Sequence, residues 1–492
     1  MIADYDRAEE PLWFFGDEPV PEHRSVTSRA RRTGRSPTSG SWSGRGLIPS
    51  TPHGLDELQL SRAAGVLLAT ICADHLNHRR DPGETSHSAG VPSPYGSVGQ
   101  IATRIAQIAA AGADLLSRPV LNEIARAAEA ARGHAVPGTA ALASAAIVAL
   151  ACLHDPERLT RTARAVAAAV EDPGGLAGGL ASDACVLWGH AIRAAVVHGT
   201  LDGLHRGLDQ LPQQRCDQWL TWISDTGLAD SPASVVAALQ AAWSAVIHTP
   251  IPVQVPAAGQ FNADHLPMAL RSVTGSQAAS AAAGALLGAY WGVPAIPLQW
   301  QQKLPAADLV RLAVLTASGG KTDRTGWPLA DRQRPPRVKA YLLAHPYDPG
   351  VLLGNLPLAT STRPSARLTA GEVDAVVSLC RVGCADFAEH VQSADHVRVW
   401  LVDANNVNAH PAFAIDQAAR TVARLRRQGK RVLLHCAAGQ SRTAIVGARY
   451  GVLTGAATPA DALDGVLAVI PSRRELVNAD LRDALLALGR HR

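Results

Sequence analysis

Near residue 335 the hydrophobic pattern of this chain changes period, which requires at least two differently built units. From about Leu55 to Leu315, apolar residues recur three and four apart, as in Ile101, Ile105, Ile108 and Leu115, or Ala163, Val166 and Val170. These segments are rich in Ala, the strongest helix former, and no strand-like alternation interrupts them. Strings such as VPSPYG, ARGHAVPG, EDPGG and IHTPIPVQVP separate the helices by withholding an amide donor or admitting positive φ. After the polar segment 321–336, short β-branched runs appear at 374–380, 396–403 and 431–436, with helical stretches between them. The expected architecture is multidomain: an all-α bundle over 51–335, then an α/β domain with a partly parallel sheet over 336–492. Residues 1–50 read as a disordered tail. They hold seven acids and one Arg up to Glu22, then six Arg and no acid from Arg24 to Arg45, without hydrophobic periodicity.

Composition narrows the function classes. Apolar residues make up 47% of the 492 and charged residues 18%, so the bulk is expected to fold and stay soluble. No uninterrupted apolar stretch of about 18 residues is found, and the N-terminus carries acids where a secretory signal needs a basic flank. A cytoplasmic location and no membrane partner are the expectation. Seven scattered cysteines suit neither a disulfide framework nor a metal pair. A net charge of +4 without a basic stripe gives no reason to expect nucleic acid.

The string Arg431–Thr443, RVLLHCAAGQSRT, carries the chemistry. An apolar strand leads into Cys436, five residues intervene before Arg442, and a helix follows. Backbone N–H groups in such a loop converge at the positive end of a helix, a setting for a tetrahedral oxyanion, and the same field favours a Cys436 thiolate as nucleophile. Gly439 lets the loop turn closely around the anion, and the planar fork of Arg442 can hold two phosphate oxygens. Ser441 is placed to hydrogen-bond the sulfur and help it leave, and His435 to orient the loop from behind.

These residues resemble the signature of the protein tyrosine phosphatase superfamily, H-C-x-x-G-x-S-R followed by Ser or Thr, at every defined position. Over residues 340 to 490 the resemblance is to the compact dual-specificity phosphatases. It implies that Ala437, Ala438, Gly439, Gln440 and Thr443, with His435, form the substrate-binding loop and that a general acid lies on a loop over it. Asp403, at the end of an apolar run 33 residues before Cys436, fits that acid. Asp416 is a weaker competitor inside a helical pattern, and Asn478 matches a structural Asn of many such enzymes. Ala437, Ala438 and Gln440 replace the lysines of lipid-phosphate phosphatases, which disfavours phosphoinositides. The mechanism calls for no metal or other cofactor.

The segment 276–300, SQAASAAAGALLGAYWGVPAIPLQW, resembles the closing motif of ADP-ribosylglycohydrolases, and 62–76, 182–203 and 248–270 match further stretches. That family implies two magnesium ions held by an early and a late acidic string. Here the late string falls on Gly275, Ser276, Gln277 and Ala278, and the early one on Gly96, Ser97, Val98 and Gly99, with no carboxylate in either. A divalent cation would lose the Coulomb energy that offsets its dehydration, so a metal-free, inactive glycohydrolase module is expected. Asp74, Asp183 and Asp264 survive, each suited equally to a cap or buried contact. The resulting expectation is a cysteine-dependent phosphatase acting on a phosphorylated protein or small phosphomonoester. The alternatives are a glycohydrolase still active through other ligands, or a non-catalytic protein that binds ADP-ribose or phosphoprotein, with ADP-ribose in the helical domain.

Overall fold

The computed structural model describes residues 55–78, 96–131, 139–171, 178–224, 235–274, 276–320, 338–356, 372–381, 395–456 and 458–489. The tail expected at 1–50 and the junction expected near 335 lie outside the described residues.

Helices fill the chain from Glu57 to Ala317, and a bridge between Val255 and Gln260 is the one β pairing among the described residues there. At the centre, helix Glu57–His78 lies against helix Gln277–Trp291. The Gly- and Ala-rich sequence explains how near they come. A Cβ on Gly284 would sit 2.5 Å from the Ala69 carbonyl oxygen, and one on Gly288 would overlap the Gly65 carbonyl. The backbones touch at these points, so larger residues would force the helices apart. Trp188, Trp243, Trp291 and Trp300 are buried core anchors, and the Trp188 indole donates to the Ala282 carbonyl at 3.1 Å. Trp188 lies in helix Gly178–His198. Its stretch Gly179–His198 is long and apolar enough to cross a bilayer, but 78% of its apolar window is buried inside the molecule, as befits a core helix.

The C-terminal part is a five-stranded mixed sheet in the order β1-β2-β5-β3-β4. Its strands are β1 Leu342–His345, β2 Asp348–Asn355, β3 Ala375–Ser378, β4 His396–Arg398 and β5 Val432–Cys436. β1 and β2 pair antiparallel, and every other pairing is parallel. β5 is buried along its whole length, which is why it reads as an unbroken apolar run. Helices Pro411–Arg427 and Arg442–Thr454 cover the sheet. The apolar runs pointed to β3, β4 and β5, but the β1–β2 hairpin went unread. β4 is also shorter than the 396–403 run, because the chain leaves the ladder after Arg398 to start the loop that carries Asp403. The apolar cores of the two parts are continuous.

Candidate active site

β5, the central strand, delivers Cys436 at its C-terminal end beside Asn355, the last residue of β2, with its side chain fully buried. The loop then turns through Ala437 to Ser441 into helix Arg442–Thr454. Its carbonyls are held from outside. Ala437 accepts from the Leu356 N–H at 3.2 Å, Gly439 from the Tyr341 hydroxyl, and Gln440 from the Ser472 hydroxyl at 2.9 Å. A trans peptide points its N–H opposite to its C=O, so the N–H groups of Ala438, Gln440 and Ser441 face the inside of the loop. Gly439 makes the turn possible with φ of 74°. Burial, and then the nearby Cys436, push the Tyr341 phenol pKa up, so Tyr341 remains a donor.

Arg442 is buried and its plane is fixed. Nη1 donates to the Leu379 carbonyl at 2.8 Å and the Leu401 carbonyl at 3.0 Å, while Nε stands 3.6 Å from Asp403 Oδ2. Asp403 therefore sits over the loop. Its Oδ1 accepts from the Ser441 hydroxyl at 2.7 Å, and Ser441 Oγ in turn accepts from the Asn478 N–H at 3.1 Å. The Ser441 hydroxyl, expected to serve the sulfur, here donates to the acid loop. Thr443 is fully buried in the first turn of the helix, and its hydroxyl has no hydrogen-bond partner among the described residues. The Gln440 amide turns outward to the Pro471 carbonyl at 3.2 Å, so Gln440 offers the loop its backbone and not its side chain.

The acid loop is closed on itself and on the C-terminal helix. Asn408 accepts from the Val402 N–H at 2.9 Å and donates to the Val402 carbonyl at 2.8 Å. Asn478 caps helix Ala479–Ala487 and donates to Asn405 Oδ1 at 2.8 Å. Asp416, the competing carboxylate, is buried and engaged by Arg449 at 2.6 Å and Arg420 at 2.6 Å, so it cannot reach the loop.

Behind Cys436, Ser378 Oγ lies 2.7 Å from His435 Nε2 and 2.8 Å from His396 Nε2. Burial first, and then Arg442 and Arg398, hold the His435 pKa down to about 4, against an opposing bond to the Cys436 backbone. Burial also holds His396 well below its ordinary value. Both rings are neutral at pH 7, which suits His435 to orienting the loop. Tyr341, Ser378 and His396 escaped the sequence reading because no local pattern marks them.

A family model described as dual specificity phosphatase, catalytic domain, matches residues 358–484, and one described as ADP-ribosylglycohydrolase matches 77–324, just over half of the chain. The chain belongs to the ADP-ribosylglycohydrolase family and ends in a dual specificity phosphatase catalytic domain. That C-terminal domain is a hydrolase of the protein tyrosine and dual-specificity phosphatase class. Among solved structures, human DUSP28 is similar over 30% of this chain and 92% of its own, at 22% identity and a TM-score of 0.24. An ADP-ribosylglycohydrolase-related protein complex is similar over 54% of this chain and 100% of its own, at 17% identity and a TM-score of 0.40. No curated protein matches the chain.

In the ADP-ribosylglycohydrolase domain the positions expected to hold magnesium do not fit it. Asp74 is the carboxylate there, and its Oδ2 already accepts from the Gly96 N–H at 2.8 Å. The Gln277 amide lies against Gly96 and beside Asp74, filling the space, and Ser276 is spent capping Ala279 at 3.3 Å. Gly275 lies outside the described residues. Burial raises the Asp74 pKa to about 7. Asp183 is buried against the Trp219 indole at 3.2 Å and Arg215 at 3.2 Å, and Asp264 caps the Phe261 N–H at 3.3 Å. No group of three or more His, Cys, Asp or Glu side chains suited to a metal occurs among the described residues.

Proposed function

We propose that the dual specificity phosphatase domain hydrolyses phosphomonoesters, phosphoproteins foremost, through a phosphocysteine, and that the ADP-ribosylglycohydrolase domain is catalytically silent. In the first step the Cys436 sulfur attacks phosphorus, the S–P bond forms and the ester P–O bond breaks. The loop N–H groups and Arg442 stabilise the equatorial oxygens, and Asp403 gives its proton to the leaving oxygen. Water then attacks phosphorus and passes a proton to Asp403, the S–P bond breaks, and inorganic phosphate leaves with the thiolate restored.

The observation that carries this reading is the reach of Asp403 over the loop to Ser441 at 2.7 Å and toward Arg442 at 3.6 Å, in one place with a buried Cys436. The silent helical domain is supported by the Gln277 amide packed where acidic ligands were expected. Phosphopeptides and 4-nitrophenyl phosphate incubated with wild type and Cys436→Ser test the reading. Wild type is expected to turn over and the variant to lose at least about a thousandfold. Equal turnover by Cys436→Ser would remove the mechanism. Magnesium-dependent release of ADP-ribose from a modified protein would overturn the silent helical domain.

A further inference from the structure

The loop that carries Asp403 is anchored at both ends on the other domain. On the incoming side, the Trp400 ring lies under the Arg381 guanidinium, 4.4 Å from it, and Arg381 pairs at 3.1 Å with the buried Glu57 at the start of the first helix. Val399 and Trp400 also form one wall of a cavity of about 80 Å³ whose other wall includes Val293, Leu298 and Val310 of the helical domain. On the outgoing side, His410 precedes helix Pro411–Arg427, and its ring packs 5.1 Å from Trp291. The Trp291 indole is itself fixed, donating to His265 Nδ1 at 2.9 Å, while His265 Nε2 reaches the Thr249 carbonyl at 3.1 Å. Phe413, in the first turn of that helix, meets Phe261 edge to face at 5.3 Å, and Arg424, in its last turn, bonds Gln302.

These contacts flank residues 401–409, the segment whose placement decides where the acid points, and they come, directly or through Arg381, from the helical domain. We infer that the ADP-ribosylglycohydrolase domain serves the phosphatase as a fixed seat for the general acid, with Trp291 as its principal positioning residue, acting through His410. Errors of about 1 Å in a proton donor cost up to a hundredfold, so a seat of this kind is worth more to the rate than to the fold. The inference rests on Asp403 being the acid.

A seat that merely stabilises would affect all substrates alike. A seat for the acid affects those whose leaving oxygen needs the proton. The full chain is assayed with phenyl phosphate, a poor leaving group, and 4-nitrophenyl phosphate, a good one. Trp291→Ala is expected to lower kcat/KM about tenfold on the first and under about threefold on the second, with Trp291→Phe restoring most of the loss. His410→Gln, made on the phosphatase side of the contact, is expected to show the same split and serves where Trp291→Ala does not fold. Asp403→Asn runs alongside. If Asp403→Asn shows no dependence on leaving group, the assignment of the acid fails. If Asp403→Asn shows it but Trp291→Ala and His410→Gln lose equally on both substrates, or lose nothing, the seat is overturned and the acid assignment stands.

Discussion

At Gly439 the backbone takes φ of 74°, and a Cβ there would overlap the Tyr341 hydroxyl that holds the loop from outside. Gly439→Ala meets two costs at once, a left-handed conformation and a displaced Tyr341, and both act on the N–H groups that face the anion. The expected result is a loss of about a hundredfold in kcat/KM on an aryl phosphate. Tyr341→Phe removes only the donor and is expected to lose less. An unchanged rate in Gly439→Ala would separate the loop turn from catalysis. Cys436, Gly439, Arg442 and Asp403 were legible because a nucleophile, a turn and an anion-gripping fork fall in one short string, with the acid at the end of an apolar run. Tyr341 was not, since it reaches Gly439 across 98 residues and only the hairpin register brings it there. The bond from Ser441 to Asp403 was hidden for the same reason: the loop string does not reveal that Asp403 folds over to accept from the hydroxyl.

Among the elements, the central helix pair was readable as Gly- and Ala-rich helices, but what fills the space beside it was not. Asp74 ends up fully buried with a pKa raised to about 7 by desolvation, opposed by the Gly96 N–H and Gln277. A raised pKa means that the folded state favours the neutral acid. The stability this carries is complete below the unfolded value of about 4 and is lost as pH rises through about 7. Asp74→Asn imitates the neutral acid, so its melting temperature is expected to exceed that of wild type at pH 8, with the gain shrinking as pH is lowered toward 4. A pH-independent difference, or a loss at pH 8, would mean that the carboxylate is stabilised in place. The β1–β2 hairpin went unread for a different reason: β1 is four residues long and only partly buried, and β2 opens on Asp-Pro-Gly, which reads as a turn. The apolar half of β2 owes its place to the parallel ladder with β5, a pairing with a strand far along the sequence.

Across the whole molecule, neutral histidines are distributed through both domains and the contact between them. His190 in the helical domain is buried, its Nε2 lies 2.9 Å from Thr160 Oγ1, and burial and then Arg193 lower its pKa to about 4. His410 at the contact is lowered to about 4 by burial, opposed by Trp291, and His435 behind Cys436 is lowered to about 4 as described. Each folded value lies below the unfolded value of about 6.5, so the unfolded chain binds more protons in between. The stability these rings contribute is complete above about pH 6.5 and is lost as pH falls through about 4. Asp74, Asp183 and Asp264, raised by burial, work in the opposite direction, but burial lowers His265, His345 and His396 as well, so the rings outnumber the carboxyls. The melting temperature of the full chain is therefore expected to fall on the order of 10 °C between pH 7 and pH 4.5, with the slope steepest below pH 6.5. His190→Gln lies far from the phosphatase loop and keeps a polar group for Thr160. It is expected to flatten that slope while leaving the aryl phosphate rate at pH 7 unchanged, and a melting temperature constant from pH 7 to 4.5 would show that these rings are not held neutral by the fold.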